Sequence, residues 1–126
     1  MTPDESGLGP QHFDVTVDWR DDVVVVTVSG ELDLVTAPQL SESVELVLKK
    51  NPSGIVIDLS RVSFLASAGM SLLASTHQSV GSSAGFAVVA DGPSTGRPLT
   101  LVGLDKVFGI FATVDEALAA LATGNS

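Results

Sequence analysis

The sequence predicts a single α/β domain: a mixed sheet of four to five strands with covering helices. Three observations point there. The chain of 126 residues is long enough for one core and too short for two ordinary domains. Apolar residues make up 44% and charged residues 17%, the balance of a chain that buries a core. β-branched runs such as Val23-Val24-Val25-Val26 and Ile55-Val56-Ile57 alternate with segments of helical apolar spacing, the arrangement that makes parallel strand pairs.

In chain order, residues 1–12 hold Pro3, Gly7, Gly9 and Pro10 and are expected to be a flexible N-terminal tail. The domain is expected over residues 13–122, with a short C-terminal tail at 123–126. Phe13 to Trp19 alternates apolar and polar residues, a half-buried strand. Arg20-Asp21-Asp22 is a solvated turn, and Val23–Val28 is a more central strand that completes a hairpin. Gly30-Glu31-Leu32-Asp33 breaks it. Thr36 and Gln39 form a capping box with Pro38 in the first turn, and Leu40, Val44, Val47 and Leu48 share one face of the helix that follows. Asn51-Pro52 stop it.

Gly54–Leu59 is a third strand, and Arg61–Ala66 a loop carrying Phe64 and Leu65. A second helix runs from Ser67 to about Val80, with Met70, Leu73, Ala74 and Val80 on a stripe. Phe86–Ala90 is a fourth strand, Leu99–Leu104 a short helix, and Gly109–Phe111 a short edge strand. Thr113 and Glu116 open a last helix that buries Val114, Leu118 and Leu121.

Composition removes several functions. Six Lys and Arg against fifteen Asp and Glu leave a net charge of −9, so polyphosphate surfaces are poor partners: no direct nucleic acid and no membrane. Without cysteine there is no disulfide, thiolate catalysis or thiolate metal site. Two histidines, His12 and His77, are too few for a histidine-based metal site; no metal and no cofactor are expected. The start lacks the basic-then-apolar order of a signal peptide, and no stretch reaches the ~20 apolar residues of a membrane span. The chain is expected to be cytoplasmic.

Chemistry concentrates at Ser67, a hydroxyl among small neighbours where a strand leads into a helix. It reads three ways. As an N-cap, its oxygen accepts a first-turn N–H, worth about 1 kcal/mol. As a nucleophile, Leu65-Ala66-Ser67-Ala68-Gly69 resembles a serine elbow lacking its first glycine. His77, however, is ten residues along the same helix, roughly 15 Å at about 1.5 Å per residue, so nothing activates the serine. As a modification switch, a serine at a helix start is a favourable seat for phosphate, flanked by exposed apolar groups at Leu65 and Met70.

The run Asp58-Leu59-Ser60-Arg61-Val62-Ser63-Phe64-Leu65-Ala66-Ser67-Ala68-Gly69-Met70, with Gly30-Glu31-Leu32-Asp33 upstream, resembles the STAS domain of bacterial anti-sigma factor antagonists. Leu104-Asp105-Lys106-Val107-Phe108 before a strand and closing helix is similar to that family too. The resemblance spans about residues 13–122 and implies a STAS-like fold and a non-enzymatic switch. The unphosphorylated antagonist binds an anti-sigma factor, often a serine kinase, and so releases a sigma factor for transcription. Phosphorylation of the serine, at Ser67 here, breaks the complex. Glu31, Asp33, Phe64, Leu65, Ala66, Ser67, Ala68, Gly69 and Met70 are the partner-binding residues it implies, with Asp33 facing the partner and the serine.

The family usually carries an acidic residue before that serine and Ser or Thr after it. Here they are Ala66 and Ala68, which leaves a constitutive antagonist as one variant. A STAS-like small-ligand sensor or scaffold module is the alternative function. Elsewhere, Glu31 and Asp33 read as solvated carboxylates without a third metal ligand. His77 reads as a packed or partly buried ring, Trp19 as core or rim, and Gly92–Gly96 as a turn. An exposed edge strand leaves room for a homodimer.

Overall fold

Five strands lie side by side in chain order, β1 (Asp14–Arg20), β2 (Val23–Leu32), β3 (Gly54–Leu65), β4 (Gly85–Val89) and β5 (Gly109–Phe111), in a computed structural model that describes residues 13–122. The expected tails, with His12, lie outside the described residues. β1 pairs antiparallel with β2, and the other three pairings are parallel. The hairpin turns through Asp21 at φ 59°, a left-handed conformation that Asp tolerates better than most side chains. Each parallel step is spanned by a helix: α1 (Ala37–Leu48), α2 (Ser67–Val80), and α3 (Gly96–Leu101) with a 3₁₀ turn at Leu104–Lys106. α4 (Val114–Ala122) closes the fold.

Alternate residues of the strands build two cores. Val24, Val26, Val28, Ile55, Ile57 and Leu59 meet Leu40, Val44 and Val47 of α1, Leu73 and Val80 of α2, and Leu99 of α3. On the other face Val25, Val56, Ala87 and Val89 meet Ala117 of α4, with Val114, Leu118 and Leu121 half-buried around it. The β-branched runs are thus buried on both faces where they are central, as parallel strands require. α4 lies over β3, β4 and β5. Farther toward β1 that face is an open polar groove of Asp14, Thr16, Thr27, Ser29, Asp58 and Arg61.

The elements stand in the expected order, but several boundaries differ. Arg61–Leu65 is strand: β3 continues beside β2 with Ser29 opposite Arg61, Gly30 opposite Val62, Glu31 opposite Phe64 and Leu32 opposite Leu65. Two slips of register, between Thr27 and Ser29 and between Gly30 and Glu31, disturb the alternation that marks a strand in sequence. Gly30, at φ 98°, bends β2 without ending it. The capping box at Thr36 does not form, because the threonine hydroxyl faces the preceding loop. Leu48 is only half-buried. On α2 the buried positions are Gly69, Leu73, Thr76 and Val80, with Met70 and Ala74 at the margin of that stripe. α3 starts three residues earlier than expected. At α4, Thr113 Oγ1 does accept the Glu116 N–H at 3.1 Å, while the Glu116 carboxylate accepts from the Ala112 N–H.

Candidate functional site

The C-terminal ends of β2 and β3 bring two chain segments together. The Ala66 N–H donates to the Leu32 carbonyl at 2.9 Å, so Asp33 and Ser67 each directly follow a residue of that bond. Beneath it, Leu32 and Leu65 are buried side by side. A β-carbon on Gly69 would lie 2.8 Å from both Leu32 Cγ and Leu65 Cδ1. Only hydrogen at that position lets the first turn of α2 sit this close to the strand ends. Leu65 therefore does not flank the serine as an exposed group; it is packed under it. Met70 is half-buried against the same core.

The loop from β2 to α1 is tied by its own side chains. Asp33 Oδ1 accepts the N–H groups of Val35 at 3.0 Å and Thr36 at 3.1 Å. The Thr36 hydroxyl accepts the Asp33 N–H at 2.9 Å and can donate to the Glu31 carbonyl at 2.7 Å or to Asp33 Oδ1 at 3.1 Å. The Ala37 N–H closes onto the Asp33 carbonyl at 2.8 Å. Chiefly the Thr36 N–H, helped by its hydroxyl and by Val35, holds the Asp33 carboxyl below the ordinary carboxylate range. The loop so fixed presents Leu34 and Val35 at 79% and 81% exposure. No periodic signal in the sequence marks these two residues; an apolar pair between an Asx-type turn and a helix start is the cue that could have found them.

Across the Ala66–Leu32 bond the polar groups are free. Ser67 is the first residue of α2, preceded by Ala66 in extended conformation, and its hydroxyl caps nothing. It is exposed and makes no hydrogen bond among the described residues. The Gly69 and Met70 N–H groups both donate to the Ala66 carbonyl, whereas those of Ser67 and Ala68 have no acceptor there. A shallow groove of about 290 Å³ runs beside the serine, lined by Ser67, Met70, Ser71, Ala74, Val102 and Leu104. Val102 and its neighbour Leu101 are exposed. The contribution of this segment after α3 is not visible in the sequence, because it depends on how α3 packs back beside α2.

Glu31 and Phe64 stand opposite each other at the same end of the sheet. Their register puts them on the face away from α1 and α2, with Phe64 half exposed, at 51%. The expected partner-binding residues thus meet at one end but on two sides of it. Ala66 and Ala68 are half-buried at the helix entrance, and Gly69 is buried.

The other readings resolve simply. His77 packs its ring against Phe86 and Phe108, centroids 5.5 and 5.9 Å away, with Nδ1 buried and without a partner among the described residues; it is a packed histidine on the far part of α2. Trp19 is at the rim of β1, 37% exposed. Among the described residues no three acidic, imidazole or thiol groups gather, at Glu31 and Asp33 or elsewhere. No helix there is long and apolar enough to cross a membrane.

The fold and site are thus a five-stranded mixed sheet with an exposed serine at the entrance to α2, beside a glycine-tight strand end. The STAS domain family model matches residues 14–117, and the chain belongs to that family. Among its relatives is the anti-sigma-F factor antagonist RsfB of Mycobacterium tuberculosis, 44% identical over 115 residues, 91% of this chain and 94% of the relative. The crystal structure of an anti-sigma factor antagonist from Mycobacterium paratuberculosis is similar with a TM-score of 0.86 at 47% identity, covering 90% of this chain and 97% of that one. At the level of fold alone, the antagonist SpoIIAA in its unphosphorylated form is similar with a TM-score of 0.70 at 19% identity, over 87% of this chain and 97% of that one.

Proposed function

We propose that this chain is an anti-sigma factor antagonist: it binds an anti-sigma factor, a serine kinase, through the end of the sheet around Ser67, and so frees a sigma factor. Phosphorylation of Ser67 switches the complex off. The observation that carries this reading is the Ser67 hydroxyl itself, exposed, unbonded among the described residues and set at the start of a 14-residue helix. The two free N–H groups beside it and the positive end of the helix favour the charge of about −1.5 to −2 that phosphate brings. The domain accepts that charge; a partner seated on Leu34, Val35 and the groove beside α2 does not. Ala66 and Ala68 leave the hydroxyl without side-chain partners on either flank, so the kinase supplies the groups that orient it. Relatives at 44% and 47% identity are antagonists by name, which supports the binding role. Action in the cytoplasm follows from that role.

The reading is one of binding, without catalysis. A serine hydrolase needs a base on its hydroxyl; Ser67 has no hydrogen-bond partner among the described residues, and Asp33 Oδ1 is committed to backbone N–H groups.

The test is affinity capture from the source organism with the wild-type chain and Ser67→Glu as paired baits. An anti-sigma factor retained by the wild type and weakened at least about tenfold, roughly 1.4 kcal/mol, by the variant is the expected result. Equal retention would remove Ser67 as the switch. Failure of either bait to retain an anti-sigma factor would move the function to a small-ligand sensor or a scaffold.

A further inference from the structure

β1 is an edge strand: one side pairs with β2, and the other has no strand partner among the described residues. Natural edges are commonly blunted by charge, and β1 carries Asp14, Asp18 and Arg20. Their order does more than blunt. We propose that β1 is a self-pairing edge, at which a second copy of this chain adds antiparallel about a two-fold axis at Val17 and continues the sheet.

The register follows from arithmetic on the seven residues of the strand. With Val17 opposite Val17, Asp14 falls opposite Arg20 of the second copy and Arg20 opposite its Asp14. Thr16 meets Asp18, and Val15 meets Trp19, each twice. Opposite charges face each other directly, and no like charges do. The two faces also sort correctly. Pairing with β2 places Val15, Val17 and Trp19 opposite Val28, Val26 and Val24, on the face that α1 covers, and the charged residues on the other. A two-fold axis normal to the sheet preserves faces, so the apolar row of one copy continues into that of the next.

That row has uncovered surface to gain from this. Val17 and Trp19 are 43% and 37% exposed, although their partners Val26 and Val24 are fully buried. Arg20 already holds Asp18 of its own strand at 2.6 Å, which fixes the guanidinium on the face where the second Asp14 would arrive. The paired ribbon is about 24 Å long at ~3.4 Å per residue, a small interface, so the association is weak and concentration-dependent.

Sedimentation velocity on the full chain from about 10 µM to 1 mM tests it, the range in which an interface this small associates. The expected result is a reversible monomer–dimer equilibrium. Because Trp19 is the one tryptophan, its emission should shift to the blue with the same concentration midpoint. Arg20→Asp sets like charges opposite each other twice, and should weaken the dimer about tenfold, as should Asp14→Arg. The double exchange Asp14→Arg with Arg20→Asp restores the pairing and should recover most of that loss; circular dichroism of each variant confirms that the domain is folded. A chain that stays monomeric throughout, or a dimer indifferent to both single exchanges, overturns the proposal. So does a double variant no tighter than the singles. None of these variants touches Ser67 or the loop at Asp33, so the result is independent of the antagonist reading.

Discussion

The two segments joined by the Ala66–Leu32 hydrogen bond are opposites in how they use polar groups. From Asp33 to Ala37, side chain and backbone satisfy one another in a closed set of hydrogen bonds, and the residues left facing solvent are Leu34 and Val35. From Ala66 to Ala68, alanines and a serine leave two backbone N–H groups and one hydroxyl with no partner among the described residues. Fixed geometry with an apolar outer surface suits recognition; free donors and a free hydroxyl at a helix start suit modification. The lesson is that one end of a sheet can hold both jobs because the rigid half does not rely on the polar groups of the other.

Breaking what the two halves share should have the largest effect. Gly69→Val forces branched carbon into the space of Leu32 and Leu65, and is expected to cost about 2–3 kcal/mol by urea unfolding. A cost below about 0.5 kcal/mol, the scatter of an ordinary surface change, would show that the strand ends do not need this close approach. Next, Leu34→Ser combined with Val35→Ser should leave stability within about 0.5 kcal/mol. The pair should weaken anti-sigma factor binding about tenfold in a titration, the size of change that loss of an exposed apolar anchor brings. Unchanged affinity would take recognition away from the rigid loop.

Asp33→Ala removes the acceptor that organises that loop and should lower the melting temperature. Because folding lowers this carboxyl's pKa, its contribution is fully present above the unfolded value of about 4 and is lost as pH falls through the folded one. The difference in melting temperature between wild type and variant should therefore be steady near neutrality and close as pH drops below about 4. A gap independent of pH would mean that the carboxylate charge plays no part. The smallest effect belongs to the free half: Ser67→Ala deletes a hydroxyl that makes no hydrogen bond among the described residues and should change stability by less than about 0.5 kcal/mol. A larger loss would show that the serine is structural.

Most of the architecture was legible because β-branched runs and helical spacing agree in this chain. Val23–Val28, Leu40 with Val44 and Val47, and Thr113 with Glu116 are each found where local pattern puts them. What local pattern could not show is where one segment leans on another. The strand character of Arg61–Leu65 comes from pairing with β2, and Leu65 is buried because Gly69 lets α2 close over it. Thr36 reads as a helix cap from its neighbours, yet its hydroxyl turns to the Glu31 carbonyl, and the Gln39 N–H that it would have capped donates to the Thr36 carbonyl instead. At the site, the position of Ser67 was readable and its surroundings were not: Leu34, Val35, Val102 and Leu104 join it only through the folded chain.

The two slips between β2 and β3 behave like a pair of compensating frame errors. Along β3 the residues aimed at the helix-covered core are Ile55, Ile57 and Leu59, then Val62, then Leu65, so the count moves from odd to even and back. The first slip keeps Arg61 out of the core, and the second brings Leu65 back into phase with Leu59. Substitutions along this stretch leave the count intact, but a single-residue insertion or deletion does not. Unless taken up as a further bulge, like the two already there, it would turn the strand end over, exchanging buried Leu65 for Phe64 at the entrance to α2.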